Sequence, residues 1–274
     1  MRSAARRAGL AALVVVLAMT GAVIGIRAWV TSLDEPSAGE SCTFGTFGAF
    51  ALDPTQASVA ATMVSVVTTR GLPERAAVLT IAGALQESKL RNIPPGQGDR
   101  DSVGVLQQRP SQGWGSVAQL SDLHYATGAF LDALVKVNGW QSLPAAGAIQ
   151  AVQRSADGAL YAQHEPEAQA VADALTGAQP AAITCTFPAP AQVTAPDSVA
   201  TQLRADLPVN PPATSGDTVR VPAASWATTA WFVAYAETLG IDSVSYAQRT
   251  WVRSKGWHPD PNASADVVVA TLHH

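Results

Sequence analysis

Charge is scarce in this 274-residue chain, where Asp, Glu, Lys and Arg together make up only 14% of the residues. The net charge of -4 includes a basic leader. What remains is mildly acidic and lacks the positive surface that grips nucleic acid. Cysteine is scarcer still, limited to Cys42 and Cys185. With His124 and His164 isolated between them, these residues have no metal-ligand spacing, and nothing in the chain implies a cofactor. Long apolar runs are also few: one segment is long enough to cross a membrane, which excludes a multi-span protein.

That segment is N-terminal. Met1 to Arg7 is basic, and residues 8–26 form an uncharged, mostly apolar run closed by Arg27. Its length exceeds the signal-peptide core of about 7–15 residues and approaches the roughly 20 needed to span a bilayer. An uncleaved signal anchor over residues 1–30, an N-terminal transmembrane helix, is therefore expected, with the body held on the extracytoplasmic side of the cell membrane. The alternative is a secreted body released by cleavage near Ala22 or Gly25. In either case Cys42 and Cys185 lie in an oxidising compartment and are expected to pair, closing residues 51–178 as one loop.

The chemistry-rich stretch runs from Glu87 to Gly115. Pro73 and Glu74 open a helix through Ala76, Val78, Leu79, Ile81, Ala82 and Leu85, which is apolar all round and therefore buried. Glu87 falls at its C-terminal end, where low dielectric and the negative end of the helix dipole both raise a carboxyl pKa. A carboxyl kept protonated near neutral pH can serve as a general acid. The plainer alternative is a Glu87 that caps the helix or pairs with Lys89 or Arg91.

Beyond Glu87-Ser88 come Gly98-Asp99-Arg100-Asp101-Ser102, Gly104, Gln107-Gln108-Arg109-Pro110 and Ser111-Gln112-Gly113-Trp114-Gly115. Together they resemble the lysozyme-like superfamily, in its soluble lytic transglycosylase and goose-type lysozyme branch, as found in actinobacterial cell-wall enzymes. The resemblance implies that Glu87 is the catalytic acid and base, and that Ser102, Gly104 and Gln107 line a glycan cleft. The family's Ala-Tyr-Asn-Ala-Gly element is matched only by Ala151-Val152-Gln153-Arg154-Ser155. Gln153 is then a substrate-binding candidate, and Tyr161 a stand-in for the missing Tyr.

The implied reaction is cleavage of the β-1,4 bond between N-acetylmuramic acid and N-acetylglucosamine in peptidoglycan strands, giving 1,6-anhydro ends. If Asp99 or Asp101 serves as a second carboxylate, the outcome is inverting hydrolysis. Either could instead close an Asx-turn or pair with Arg100. A non-catalytic reading remains: a wall-binding or scaffold protein of an envelope or conjugation assembly.

The expected fold class is a mainly α lysozyme-like (α+β) catalytic domain, with a small α/β C-terminal domain. After a short connector at 31–50, the catalytic domain covers residues 51–178. Its helices run from Pro54 to Thr69 behind an Asp53 cap, from Pro73 to Glu87, from Ser121 to about Asn138, from Pro144 to Ser155, and from Leu160 to Leu175. Ala129, Leu131, Leu134 and Val135 are the expected inner face of the third. A Pro-rich linker follows at 179–217, able to form a helical turn or two at 199–203.

Residues 218–274 read as a small module with a Ser225-capped helix, a hairpin at 244–252 and a strand at 267–271. Its core must lean on Trp226, Trp231, Trp251 and Trp257. This tail resembles zinc D-alanyl-D-alanine peptidase modules, but Asp266 to Val269 lacks their His-x-His ligands. It is expected to bind wall or partner without metal.

Overall fold

The Asp53 carboxylate and the Gln56 side chain lock the first helix by a reciprocal capping box, each accepting from the other's backbone N–H at 2.8 and 2.9 Å. That helix, α1, covers Pro54–Thr69 in a computed structural model that describes residues 40–45, 48–155, 158–188 and 193–273. The next, α2, covers Glu74–Ser88 with Pro73 as its N-cap, and its interior from Ala76 to Leu85 is buried throughout. The apolar-all-round pattern therefore sets the position of this helix in the core.

The body continues with α3 (Val117–Leu120), α4 (Leu123–Leu134), α5 (Ala145–Gln153), a 3-10 turn at Gly158–His164 and α6 (Glu165–Thr176). Asp122 caps α4 as expected, but the inner face is Ala126, Phe130, Leu131 and Leu134, while Val135 lies 46% exposed. The helix stops at Leu134 because the chain turns at Val135, which carries Val135 out of the buried stripe. A small antiparallel sheet in the order β2 (Phe50–Leu52), β1 (Ser41–Phe44), β3 (Ile183–Thr186) closes the body. Cys42 stands opposite Cys185 in this register, and the two form a disulfide.

The Pro-rich stretch carries α7 (Pro196–Asp206), with Val199, Ala200 and Leu203 buried, and then β4 (Ala213–Ser215); β5 (Thr218–Pro222) opens the module that follows. After α8 (Trp226–Ala234) and α9 (Ala236–Leu239) come β6 (Ile241–Tyr246), β7 (Arg249–Val252), β8 (Gly256–Pro259) and β9 (Val267–Leu272). These strands make one six-stranded antiparallel sheet in the order β4-β5-β9-β6-β7-β8.

The expected fold class is thus corrected. The described residues form an α+β structure with nine α-helices and two antiparallel sheets, in place of a mainly α body followed by a small α/β module. The physical reason lies in the connections. Every pairing is antiparallel: short hairpins join β4 to β5, β6 to β7 and β7 to β8, β4 comes from the stretch read as linker, and β5 pairs with Val267–Thr271 of β9 across a long connection. The expected N-terminal transmembrane helix lies outside the described residues, and no described helix is long and apolar enough to cross a membrane.

The sheet and the helical body share one hydrophobic core. Trp231 and Trp251 are fully buried, and Trp226 meets Tyr246 and Trp257 edge to face at 5.2 and 5.6 Å. The Trp251 and Trp257 indoles donate to the carbonyls of Cys185 and Ile183, which ties the second sheet to β3 of the first. Gly177, which ends α6 in a left-handed conformation, sits so close to the start of α8 that a Cβ there would lie 2.5 Å from the Ala227 nitrogen.

Candidate functional site

Glu87 is the penultimate residue of α2, half-buried beside the turn at which the chain leaves the helix. That turn is unusual, since Lys89 and Leu90 both adopt left-handed backbone conformations at φ 55° and 57°. Two consecutive non-glycine residues there cost on the order of 1–2 kcal/mol each, so neighbours must over-determine the turn. They do. Gln56 donates to the Lys89 carbonyl at 2.7 Å, the Asp53 carboxylate accepts from Arg91 at 2.6 Å, and the Ser88 hydroxyl donates to the Val105 carbonyl at 2.7 Å. Leu90 is fully buried beneath them.

This arrangement shows which groups stand near Glu87. Arg91 pairs with Asp53, and the Lys89 side chain is exposed. What approaches the carboxylate is the Tyr161 hydroxyl, which donates to Glu87 Oε1 at 2.6 Å from the 3-10 turn after α5. Burial pushes the Glu87 pKa up from its ordinary value of 4.5, while hydrogen bonds from Tyr161 and Gln153 act against that shift. Burial comes first, so the carboxyl is easier to protonate than an exposed one. Tyr161 is itself fully buried and held well above the ordinary range of a phenol by burial and by its bond to Glu87.

Gln153 ends α5 and donates to the Leu106 carbonyl at 2.9 Å while also bonding Glu87. The structure thus brings Glu87, Gln153 and Tyr161 together. Ser155 joins them as a hydrogen-bond partner of the Tyr161 hydroxyl. It stands inside the quoted string Ala151 to Ser155, although nothing in its spacing marks it. His164 and Gln163 reach Gln86, the residue just before Glu87 in α2, each at 3.1 Å, an association with no signature in the sequence.

The loop from 92 to 115 is held by two isolated bridges, Ile93 with Gly104 and Val103 with Gln108. Ser102 is buried and bonds the Asp99 carbonyl and Gln107 Oε1, and the Gln107 amide donates to the Gly104 carbonyl at 2.8 Å. Ser102, Gly104 and Gln107 therefore brace one another. Gly104, at φ 79°, sits where a Cβ would lie 2.3 Å from the Leu120 carbonyl oxygen. No larger residue fits without moving α3.

The two Asp candidates part company. Asp101 accepts from Arg109 at 2.6 Å and from the Ser111 backbone N–H at 2.8 Å, and the Ser111 and Arg109 hydrogen bonds hold its carboxyl far below the usual range. Asp99 is 90% exposed and lies 3.7 Å from Arg100. Among the described residues, no second carboxylate contributes to the shift at Glu87.

Next to Gln153 opens a groove of about 650 Å³, lined by Gln112, Trp114, Lys136, Val137 and Arg154 as well as Gln153 itself. Trp114 is half-buried there, and Tyr125 supports its loop by donating to the Trp114 carbonyl. Trp140 is 8% exposed and belongs to the core.

In comparisons with known proteins, no family model matches the chain and no curated protein matches it.

Proposed function

We propose that this protein is a peptidoglycan lytic transglycosylase that cleaves the bond between N-acetylmuramic acid and N-acetylglucosamine with Glu87 as sole acid and base. The reading rests on the resemblance of residues 87–115 to that family. The observation that carries it is a half-buried Glu87 with raised pKa, held by Tyr161 and Gln153, with no other described carboxylate contributing to its shift.

In this reading protonated Glu87 gives its proton to the glycosidic oxygen, the bond from that oxygen to the muramic C1 breaks, and an oxocarbenium-like centre forms. The carboxylate left behind then takes the proton of the muramic 6-hydroxyl as its oxygen bonds C1. The product is a 1,6-anhydro end, and Glu87 is protonated again. Tyr161 donates to the carboxylate formed midway and so steadies the charged intermediate state of the acid. The disulfide fits work outside the cytoplasm, on the wall. An inverting route needs a free base across the sugar. Asp101 is tied to Arg109 and Ser111, which weighs against that route.

The test is mass spectrometry of fragments released from purified peptidoglycan by the full chain and by Glu87→Gln. Anhydro ends from the unaltered protein alone are expected. Reducing ends would transfer the assignment to a hydrolase. Wall binding without release by either protein would make it a non-catalytic wall or assembly component.

A further inference from the structure

Half of the ten arginines in the described structure form close ion pairs. Arg70, Arg75, Arg91, Arg109 and Arg253 each pair with an acid, namely Asp132, Glu165, Asp53, Asp101 and Glu237 in turn. Lys136 and Arg154 are among the cations that do not. Both are exposed and line the groove beside Gln153, and neither side chain has a hydrogen-bond or ion-pair partner among the described residues. No described acidic residue lines the groove with them. Two bare cations on one concave, tryptophan-walled surface create a positive local field in a chain whose net charge is -4.

The two charges are placed by separate elements. Lys136 follows the C-terminus of α4, and Arg154 caps α5 in a left-handed conformation at φ 53°. That conformation costs a non-glycine residue on the order of 1–2 kcal/mol, and Arg154 lines the groove directly after Gln153. Gln153 bonds Glu87, so the groove adjoins the candidate acid through a single residue.

We propose that this groove binds a carboxylate-bearing substituent of the glycan strand, with Lys136 and Arg154 as its counter-charges and Trp114 as the apolar wall. The assignment rests on the function proposed above and deepens it. The preferred substrate becomes a strand whose peptide side chains keep their free carboxylates, over strands that are amidated or stripped of peptide. Both cations are exposed, so each contact is worth little alone and is screened by salt.

Two measurements on the full chain test this, one needing no catalysis. Calorimetric titration of Glu87→Gln with a short acidic peptide bearing free carboxylates, and with its fully amidated counterpart, reads the groove directly. The acidic peptide is expected to bind roughly tenfold more tightly, a preference that Lys136→Gln/Arg154→Gln abolishes and higher salt erodes. Equal binding of both peptides, or a preference unchanged by the double substitution, overturns the proposal.

Release of fragments from native and from carboxyl-amidated peptidoglycan then compares the catalytically intact protein with its double variant. The intact protein should favour native wall and the double variant should not. Glycan cleavage with no such preference sinks the groove assignment and leaves the transglycosylase reading standing. Charge-dependent peptide binding without any cleavage does the reverse.

Discussion

At the scale of single residues, two effects on Glu87 oppose each other. Burial raises its pKa, and the Tyr161 and Gln153 hydrogen bonds pull it down. Tyr161→Phe removes one of the opposing bonds, so the pKa should climb further. For a group that must begin protonated, the alkaline limb of the pH–rate profile should move upward with it. A profile unmoved in Tyr161→Phe would mean that Tyr161 does not set the acid.

Stability carries the same sign. A carboxyl whose folded pKa lies above its ordinary 4.5 contributes most below that value, and the contribution is lost as pH rises through the folded pKa. Glu87→Gln should therefore be the more stable protein at neutral pH and gain nothing at pH 4. Chemical denaturation at the two pH values measures it. Asp101 and Asp99 separate at this scale too. Asp101→Asn should loosen the Arg109–Ser111 loop, seen as faster amide exchange there, whereas Asp99→Asn should change neither exchange nor cleavage.

At the scale of elements, what matters is how closely backbones approach. Gly104→Ala drives a Cβ into the Leu120 carbonyl at 2.3 Å, and the residue must also hold φ 79°. A loss of about 2–3 kcal/mol is expected, together with displacement of α3 from the loop that carries Ser102 and Gln107. Thermal unfolding with activity at a permissive temperature separates the two consequences. The disulfide acts on a longer loop, joining residues 143 apart in sequence. Replacing both cysteines with serine should cost about 5 kcal/mol on the chain-entropy estimate. The strands β1 and β3 remain paired through their backbone, so the variant should fold with the same secondary structure by circular dichroism.

At the scale of the whole molecule, Asp206 is the node between helical body and C-terminal sheet. It is 2% exposed, accepts from the Trp231 indole at 2.7 Å and from His124 at 2.9 Å, and its backbone carbonyl accepts from Thr69. Asp206→Ala leaves a buried indole N–H without a partner and should cost about 3 kcal/mol. His124 is raised above 6.5, chiefly by its hydrogen bond to Asp206. Its contribution is therefore complete below 6.5 and is lost as pH rises through the folded value. Urea midpoints at pH 6 and pH 8 should differ more for the unaltered protein than for His124→Gln.

Local rules fixed much of this chain. The Asp53 cap with Pro54, the helix opening at Glu74, the Asp122 cap, the Gly177 stop, the Ser225 cap and the strands around 244–252 and 267–271 all follow from side chains acting on neighbours a few residues away. The placement of Glu87 at the end of a buried helix follows from periodicity alone, and the disulfide from two cysteines outside the two ends of one helical block.

Contacts made across long stretches of sequence decided the rest. Tyr161 reaches Glu87 only because the turn after α5 folds back on α2. Arg91 turns to Asp53 because the α1 cap holds the left-handed turn. The stretch rich in proline becomes α7 and β4 because Leu203 and Asp206 are buried against the body and β4 pairs with β5. Composition counts prolines in that stretch. It carries no information about the apolar surface waiting elsewhere in the chain, and burial of that surface is what turned an expected tether into part of a single core.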